Sequence, residues 1–299
     1  MRKRLLLGPI MIALMLAALW ADQWLDQRPF PWAQGQRIAG LDHWPPGVIV
    51  FIIVLTLSIL GARELAAILA DKGITSSRRI STFAAVLGLL VSCLIPSWFS
   101  AVDAAAATSM SAMLVLAAAI IFFARNKTVE GVVAATGGAL LSYVYLGLMF
   151  GFILAIRREH TAWELLWVML VTKSCDIGAY FTGKAIGKHK LIPWLSPGKT
   201  WEGLFGGVAL ACLVAYFGWW ILNPDNGAPM WWIGVVPGII FAVIGQAGDL
   251  FESVFKRDAG IKDSGRAIPG FGGVLDVIDS PVLVGPFAYW WLRWMDGMM

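Results

Sequence analysis

Charge is scarce in this chain. Only 14% of its 299 residues are Asp, Glu, Lys or Arg, against about 25% in ordinary soluble domains. That shortage excludes a conventional water-facing surface. Cysteine is scarce too. Cys93, Cys175 and Cys212 are an odd set, lack CxxC spacing and sit in apolar stretches. They read as small core residues, so neither a disulfide scaffold nor a zinc centre is expected. The three histidines are His43, His160 and His189. They build no Ser/His/Asp or Cys/His constellation, which removes the usual covalent nucleophiles. His43 and His160 are expected in external loops, and His189 in a solvated, lysine-rich loop. The net charge is +4, but no basic run is longer than Arg2-Lys3-Arg4. Nucleic acid is therefore not an expected partner.

What the chain has in quantity is apolar length. It is 59% hydrophobic, with sixteen Trp and sixteen Phe, and its mean hydropathy is +0.73. Trp favours the membrane–water interface. About nine apolar stretches approach the roughly 20 residues needed to cross a bilayer. Their limits are 5–21, 47–62, 80–99, 104–124, 131–156, 162–182, 202–222, 231–255 and 280–295. The fold class expected is an all-α, polytopic integral membrane protein. The long stretch 131–156 is expected to break near Gly137-Gly138, because paired glycines weaken a helix. Arg2-Lys3-Arg4 and the following apolar run resemble a signal peptide. Trp20 spoils the small-x-small cleavage pattern, so a retained anchor is expected. Residues 1–299 read as one membrane domain. Residues 1–160 form an N-terminal helical bundle, and 161–299 form the half that carries the chemistry.

Orientation follows the positive-inside rule. With the N-terminus inside, most of the 23 Lys and Arg residues collect on one side, Arg63, Arg78 and Arg79 among them. Arg157-Arg158 is the awkward pair, since it falls on the other side. The loops 183–200 and 256–279 then share the inner, cytoplasmic face.

Those two loops hold the polar residues that the composition otherwise avoids. On a helix, Asp249, Ser253 and Lys256 lie along one face, with Glu252 close by. An ordinary helix end with an Asp–Ser–Lys hydrogen-bond chain would look similar. Asp276 and Asp279 precede Ser280-Pro281, which reads as a helix start with Ser as N-cap and Pro at the first helical position. Capping explains one Asp well, but not both together with Asp249. Three converging carboxylates repel unless a cation joins them, and hard oxygen donors suit Mg²⁺. Gly270, Gly272 and Gly273 allow a backbone to approach an anion closely. Lys184, Lys188, Lys190 and Lys199 offer charge to phosphates. Gly198-Lys199-Thr200 resembles the end of a Walker A loop, but Pro193 stands where that loop needs glycine. Lys173 and Asp176 are ionisable residues inside an apolar stretch. They are functional candidates by default, although a self-satisfied ion pair is the plainer alternative.

Taken together, these motifs resemble the phosphatidate cytidylyltransferase (CDP-diacylglycerol synthase) family over roughly residues 170–285. The match runs through Ser253, Lys256, Arg257, Lys262, Asp263, Pro269, Gly270, Gly272, Gly273, Asp276 and Asp279. It includes Asp176-x-Gly178-Ala179-Tyr180-x-x-Gly183-Lys184, Ser196-Pro197-x-Lys199-Thr200-x-Glu202-Gly203 and Gly248-Asp249-Leu250. Two positions depart from the pattern: Phe271 replaces the usual His, and Val277 the usual Arg.

The resemblance implies cytidylyl transfer from CTP to phosphatidate, in a cell (inner) membrane, with the site facing the cytoplasm. It implies Asp249 and Asp276 as Mg²⁺ ligands with Asp279 in support, and leaves a second cation open. Ser253 and Lys256 join Asp249 and Asp276 as the expected catalytic set. Arg257, Lys262, Asp263, Lys184, Lys188, Lys199, Asp176, Gly272 and Gly273 are the expected substrate contacts. The expected partners are CTP, phosphatidate and the bilayer, and a homodimer is compatible with the chain. A transporter, or another CTP-dependent lipid kinase or cytidylyltransferase, is the rival reading. The clustering of charge at one membrane face argues against transport, whose sites lie nearer the midplane.

Overall fold

In a computed structural model the chain is a bundle of long helices. The structure describes residues 2–29, 43–94, 100–125, 127, 129–224, 230–262, 264–265 and 272–297, with side chains from residue 8 onward. In order, the helices are α1 (Arg2–Asp26), α2 (Val48–Asp71), α3 (Arg78–Leu94), α4 (Ala101–Ala124), α5 (Val132–Leu141), a π-helical segment (Ser142–Met149) and α6 (Phe150–Glu159). They continue with α7 (Ala162–Ile186), α8 (Trp201–Leu222), α9 (Trp231–Asp258) and α10 (Leu275–Asp296). Between α7 and α8 the strands β1 (Lys190–Ile192) and β2 (Ser196–Thr200) pair as a small antiparallel hairpin. The sequence had not suggested this exception to an all-α fold.

Local chemistry sets several helix starts. Ser100 Oγ accepts from Asp103 N at 3.1 Å, and the Asp103 carboxylate accepts from Ser100 N in return. Thr161 and Glu164 form the same capping box at α7. Thr200 Oγ1 caps α8 by accepting from Gly203 N at 3.1 Å. Each pair satisfies amide groups that a helix start leaves bare.

Among the described residues, six helices are long and apolar enough to cross a membrane. They are Gly8–Asp26, Val48–Asp71, Ala101–Ala124, Val132–Glu159, Trp201–Leu222 and Trp231–Asp258. A polytopic membrane protein stands, but the count of nine is not reached on this measure. Helix α3 has only 17 residues. Helices α7 and α10 carry Lys173, Asp176, Asp276 and Asp279 within their lengths, which lowers their apolar character.

Two local expectations need correction. Residues 132–159 do not break at Gly137-Gly138; the irregularity comes later, as the π-helical turns 142–149. There the backbone lies against α3: a Cβ on Gly88 would sit 2.5 Å from Tyr143 O, and one on Gly147 would sit 2.7 Å from Ala85 O. Ser58 Oγ donates to Leu146 O at 2.8 Å and Ser92 Oγ to Leu148 O at 3.2 Å. Donors from α2 and α3 thus supply carbonyls in the π turns with partners. The second correction concerns Arg157 and His160. Arg157 is fully buried, and pairs with Asp22 and Asp26 of α1 at 2.5 Å each. Asp22 Oδ1 also accepts from Ile49 N at 2.8 Å, which ties α1, α2 and α6 together. His160 falls in the short loop between α6 and α7, but it is buried beside this joint. Arg157 is a structural clamp, so it carries no weight as a counterexample to the positive-inside rule.

Candidate active site

The site forms where α9 crosses the start of α10. Gly248 permits the crossing, since a Cβ there would lie 2.5 Å from Asp279 O. The close approach brings Asp249 and Glu252, one turn apart on α9, against Asp279 of α10. One carboxylate oxygen from each of these three lies within 4.8 Å of the others. Glu252 and Asp279 are buried, and Asp249 is partly so.

Lysines surround this cluster. Lys199, at the end of the hairpin, lies 2.5 Å from Asp249 Oδ2. Lys173 of α7 sits 3.5 Å from both Asp176 and Asp279. Lys256 bridges Glu252, on its own helix, to Asp276, at 2.7 Å from the latter. Gln246 Nε2 donates to Asp176 Oδ1 at 2.9 Å, which fixes that acid to α9. The network therefore sets five carboxyl groups, those of Asp176, Asp249, Glu252, Asp276 and Asp279, against three lysines, an excess of two acids.

Such an excess suits a divalent cation. Glu252 Oε1 is buried without a hydrogen-bond partner among the described residues. An orphaned carboxylate oxygen is costly unless something positive meets it. The donor set is all hard oxygen, as Mg²⁺ requires. Asp249, Glu252 and Asp279 are the residues that would hold it. Asp276 stands one lysine away and is already engaged. Its Oδ2 accepts from Gly273 N at 2.8 Å, Ser264 Oγ at 2.9 Å and Ser264 N at 3.1 Å.

The start of α10 differs from the expectation of Ser280 as N-cap. The helix begins at Leu275, so Ser280 and Pro281 lie inside it. The cause comes from α2. The Glu64 carboxylate accepts from Val274 N at 2.9 Å and Leu275 N at 3.0 Å. It also accepts from Ser264 Oγ at 3.3 Å. Helix starts favour an anion at the bare amides. A remote carboxylate thus lets the helix begin well before its own Ser-Pro pair, and places Asp276 and Asp279 on its first two turns.

The remaining expected residues divide. Gly272 has φ 106°, in the left-handed region that favours glycine. Gly273 gives its amide to Asp276, so among the contacts present it serves a protein carboxylate. Lys184, Lys188, Arg257 and Lys262 are exposed and point no described contact at the acid cluster. Lys184 lies 5.9 Å over the Tyr180 ring, and Arg257 donates to Ile261 O at 3.1 Å. Ser253 is half-buried between Glu252 and Lys256 in sequence, but it is Glu252 that Lys256 meets. Asp263 and Phe271 lie outside the described residues. His189 Nδ1 contacts Glu202 at 2.6 Å, so the hairpin base is held by an acid of the Ser-Pro-x-Lys-Thr-x-Glu-Gly motif.

Two residues were missed. Glu64 escaped because the second apolar stretch was bounded at 62, whereas α2 runs on to Asp71. An acid at that depth was the available signal. Tyr145, from the π-helical segment, has a buried hydroxyl without a hydrogen-bond partner among the described residues. It lies within electrostatic reach of Asp279, Glu252 and Asp249. Nothing in its apolar surroundings marked it.

Comparison with known proteins gives the family. Residues 39–295 match the model of the cytidylyltransferase family. A phosphatidate cytidylyltransferase of Bacillus subtilis is 32% identical over 263 residues, covering 82% of this chain and 95% of that protein. One from Staphylococcus epidermidis is 40% identical over 147 residues, covering 49% of this chain and 55% of its own length. One from Haemophilus influenzae is 41% identical over 146 residues, covering 45% and 50% respectively. The matched length takes in Glu64 on α2 as well as the acid–lysine network of α7, α9 and α10, and the chain belongs to the cytidylyltransferase family.

Proposed function

We propose that this protein transfers the cytidylyl group of CTP to phosphatidate, yielding CDP-diacylglycerol and pyrophosphate. The observation that carries the reading is the gathering of Asp249, Glu252 and Asp279 with Lys173, Lys199 and Lys256 at one helix crossing. Family membership supplies the reaction class, and the relatives' names supply the substrates.

The chemistry asks for this kind of site. The nucleophile is an oxygen of the phosphatidate phosphate monoester. Its second pKa is about 6, so it is ionised at neutral pH and needs no protein base. That is consistent with the replacement of the family's usual His by Phe271. The attacking oxygen forms a bond to the α-phosphorus of CTP. The bond from that phosphorus to the β-phosphate bridge breaks, and pyrophosphate leaves with the electron pair. The obstacle is repulsion between two polyanions. A bound divalent cation supplies charge neutralisation and alignment in such transfers.

The protein's own groups do the rest. Lys199 and Lys256 meet different carboxylates of the network, Asp249 and Asp276. Each offers its remaining donors to phosphate oxygens. Glu64 fixes the start of α10, and with it the separation of Asp276 from Asp279. In this reading the site faces the cytoplasm, where CTP is dissolved, in keeping with the excess of Lys and Arg expected on that side. There the acyl chains stay in the bilayer while the head group reaches the cluster.

The test is label transfer from radioactive CTP to phosphatidate in detergent micelles, with Mg²⁺ and with EDTA. Label in CDP-diacylglycerol that EDTA abolishes is the expected result. Folded protein that gives no labelled lipid under any divalent cation overturns the reading.

A further inference from the structure

A second feature lies outside the acid–lysine network. Helices α2 and α3 enclose an open groove of about 610 Å³, within the range of about 300–1,000 Å³ typical of small-molecule sites. One end carries Arg63 of α2 together with Arg78 and Arg79 from the first turn of α3. All three are exposed, and none has an ion-pair or hydrogen-bond partner among the described residues. Beyond them, apart from Thr82, the lining is apolar: Phe83, Val86 and Leu90 continue the Arg79 face at spacings of four, three and four, as one face of a helix requires.

We infer that this groove binds one anionic glycerophospholipid, with its phosphate on Arg63, Arg78 and Arg79 and an acyl chain along α3. Three arguments select that occupant. The guanidinium group is suited to phosphate, which it binds through paired hydrogen bonds. The α3 helix start adds favourable partial charge for an anion, since its bare amides lie in the same turn as Arg78 and Arg79. Length decides between a lipid and a soluble phosphate. From Arg78 to Leu90 the groove follows α3 for about 18 Å at 1.5 Å per residue. One leaflet of hydrocarbon is about 15 Å deep, half of a core of about 30 Å. A soluble phosphate would use only the arginine end.

The groove adjoins elements of the catalytic site. The α2 end beside it is tied to the end of α9 by Lys72 and Asp258 at 2.9 Å. Arg63 also directly precedes Glu64, the carboxylate that caps α10. The proposal itself does not depend on the reaction.

Spin-labelled lipids test it. The full chain is reconstituted in phosphatidylcholine vesicles with an acyl-labelled probe, either phosphatidylglycerol or phosphatidylcholine. Electron paramagnetic resonance then reports the immobilised fraction. Phosphatidylglycerol lacks the phosphate monoester of the proposed substrate, so occupancy of the catalytic cluster does not explain its signal. The expected result is a preference for phosphatidylglycerol. Each single Arg→Gln variant lowers that preference up to about fivefold, the effect of one basic residue near an anionic lipid surface. The triple variant Arg63→Gln/Arg78→Gln/Arg79→Gln abolishes it. Val86→Trp, which fills the groove and keeps the charges, also reduces it. Should Val86→Trp lower the helix content, Phe83→Trp at an exposed position replaces it. A preference that survives the triple variant overturns the proposal. One that survives a folded, groove-filled variant overturns it as well, because the arginines then act only as a diffuse charged surface.

Discussion

Replacing Glu64 by Gln should slow catalysis from a helix that contributes no residue to the acid cluster. The carboxylate accepts three hydrogen bonds, from Val274 N, Leu275 N and Ser264 Oγ, at 2.9, 3.0 and 3.3 Å. Gln keeps the shape but removes the charge and turns one acceptor into a donor. Loss of charge at a helix start costs about 0.3–1 kcal/mol, rising to ~2 where partly buried. An amide hydrogen facing a backbone N–H adds about 1–3 kcal/mol. The order of the local destabilisation is therefore about 1–5 kcal/mol. It falls on the segment that carries Gly273, Asp276 and Ser264. Misplacement of a reacting site by about 1 Å costs roughly 100-fold in rate.

The expectation for Glu64→Gln is a kcat reduced about 10- to 100-fold, with the KM for CTP nearly unchanged. Helix content should stay native by circular dichroism. Glu64→Asp should recover little, because its shorter side chain withdraws the carboxylate from α10. A merely structural loss would lower the amount of folded protein and leave the turnover of the remainder intact. Native kcat in folded Glu64→Gln refutes the positioning role.

Glu252→Gln and Asp279→Asn should each weaken divalent-cation binding at least tenfold. Mn²⁺ binding followed by electron paramagnetic resonance without substrates checks this, and unchanged affinity in both removes them as ligands. Asp276→Asn should abolish transfer with less effect on cation affinity, since Asp276 meets Lys256 and Ser264 instead of the cluster; equal loss of both places it among the ligands. Arg157→Met should destabilise the bundle by about 3–5 kcal/mol, because Asp22 and Asp26 are left facing an apolar side chain; thermal unfolding in detergent measures it. Gly88→Val should prevent the approach of α3 to the π-helical segment, where Tyr143 O would lie 2.5 Å from an added Cβ; a native unfolding midpoint would contradict the close-packed contact.

Much of this protein was legible in its sequence, for physical reasons. Apolar runs force helices in a bilayer because every backbone amide must find an internal partner. The scarcity of charge makes each remaining ionisable group inside an apolar stretch conspicuous, as with Asp176, Lys173 and Asp249. Local spacing put Asp249, Ser253 and Lys256 along one face, because steps of four and three follow the helix turn, although the partner that Lys256 meets on that helix is Glu252. The reaction class followed from ordered motifs, and the family match agrees with it.

The tertiary structure decided what spacing does not encode. Glycine at 248 lets two backbones nearly touch, and that contact selects Glu252 as the third carboxylate beside Asp249 and Asp279. Lys256 and Ser264 draw Asp276 aside. Glu64 reaches across more than two hundred residues of chain to start α10 at Leu275, where local preference favoured Ser280. The same holds for Arg157, whose burial depends on two acids from α1. Local propensity acts within a turn or two of helix, so the apolar stretches and the inventory of charged groups could be read from the sequence alone. Which of those groups meet depends on where helices cross, and that is set by side chains distant in the chain.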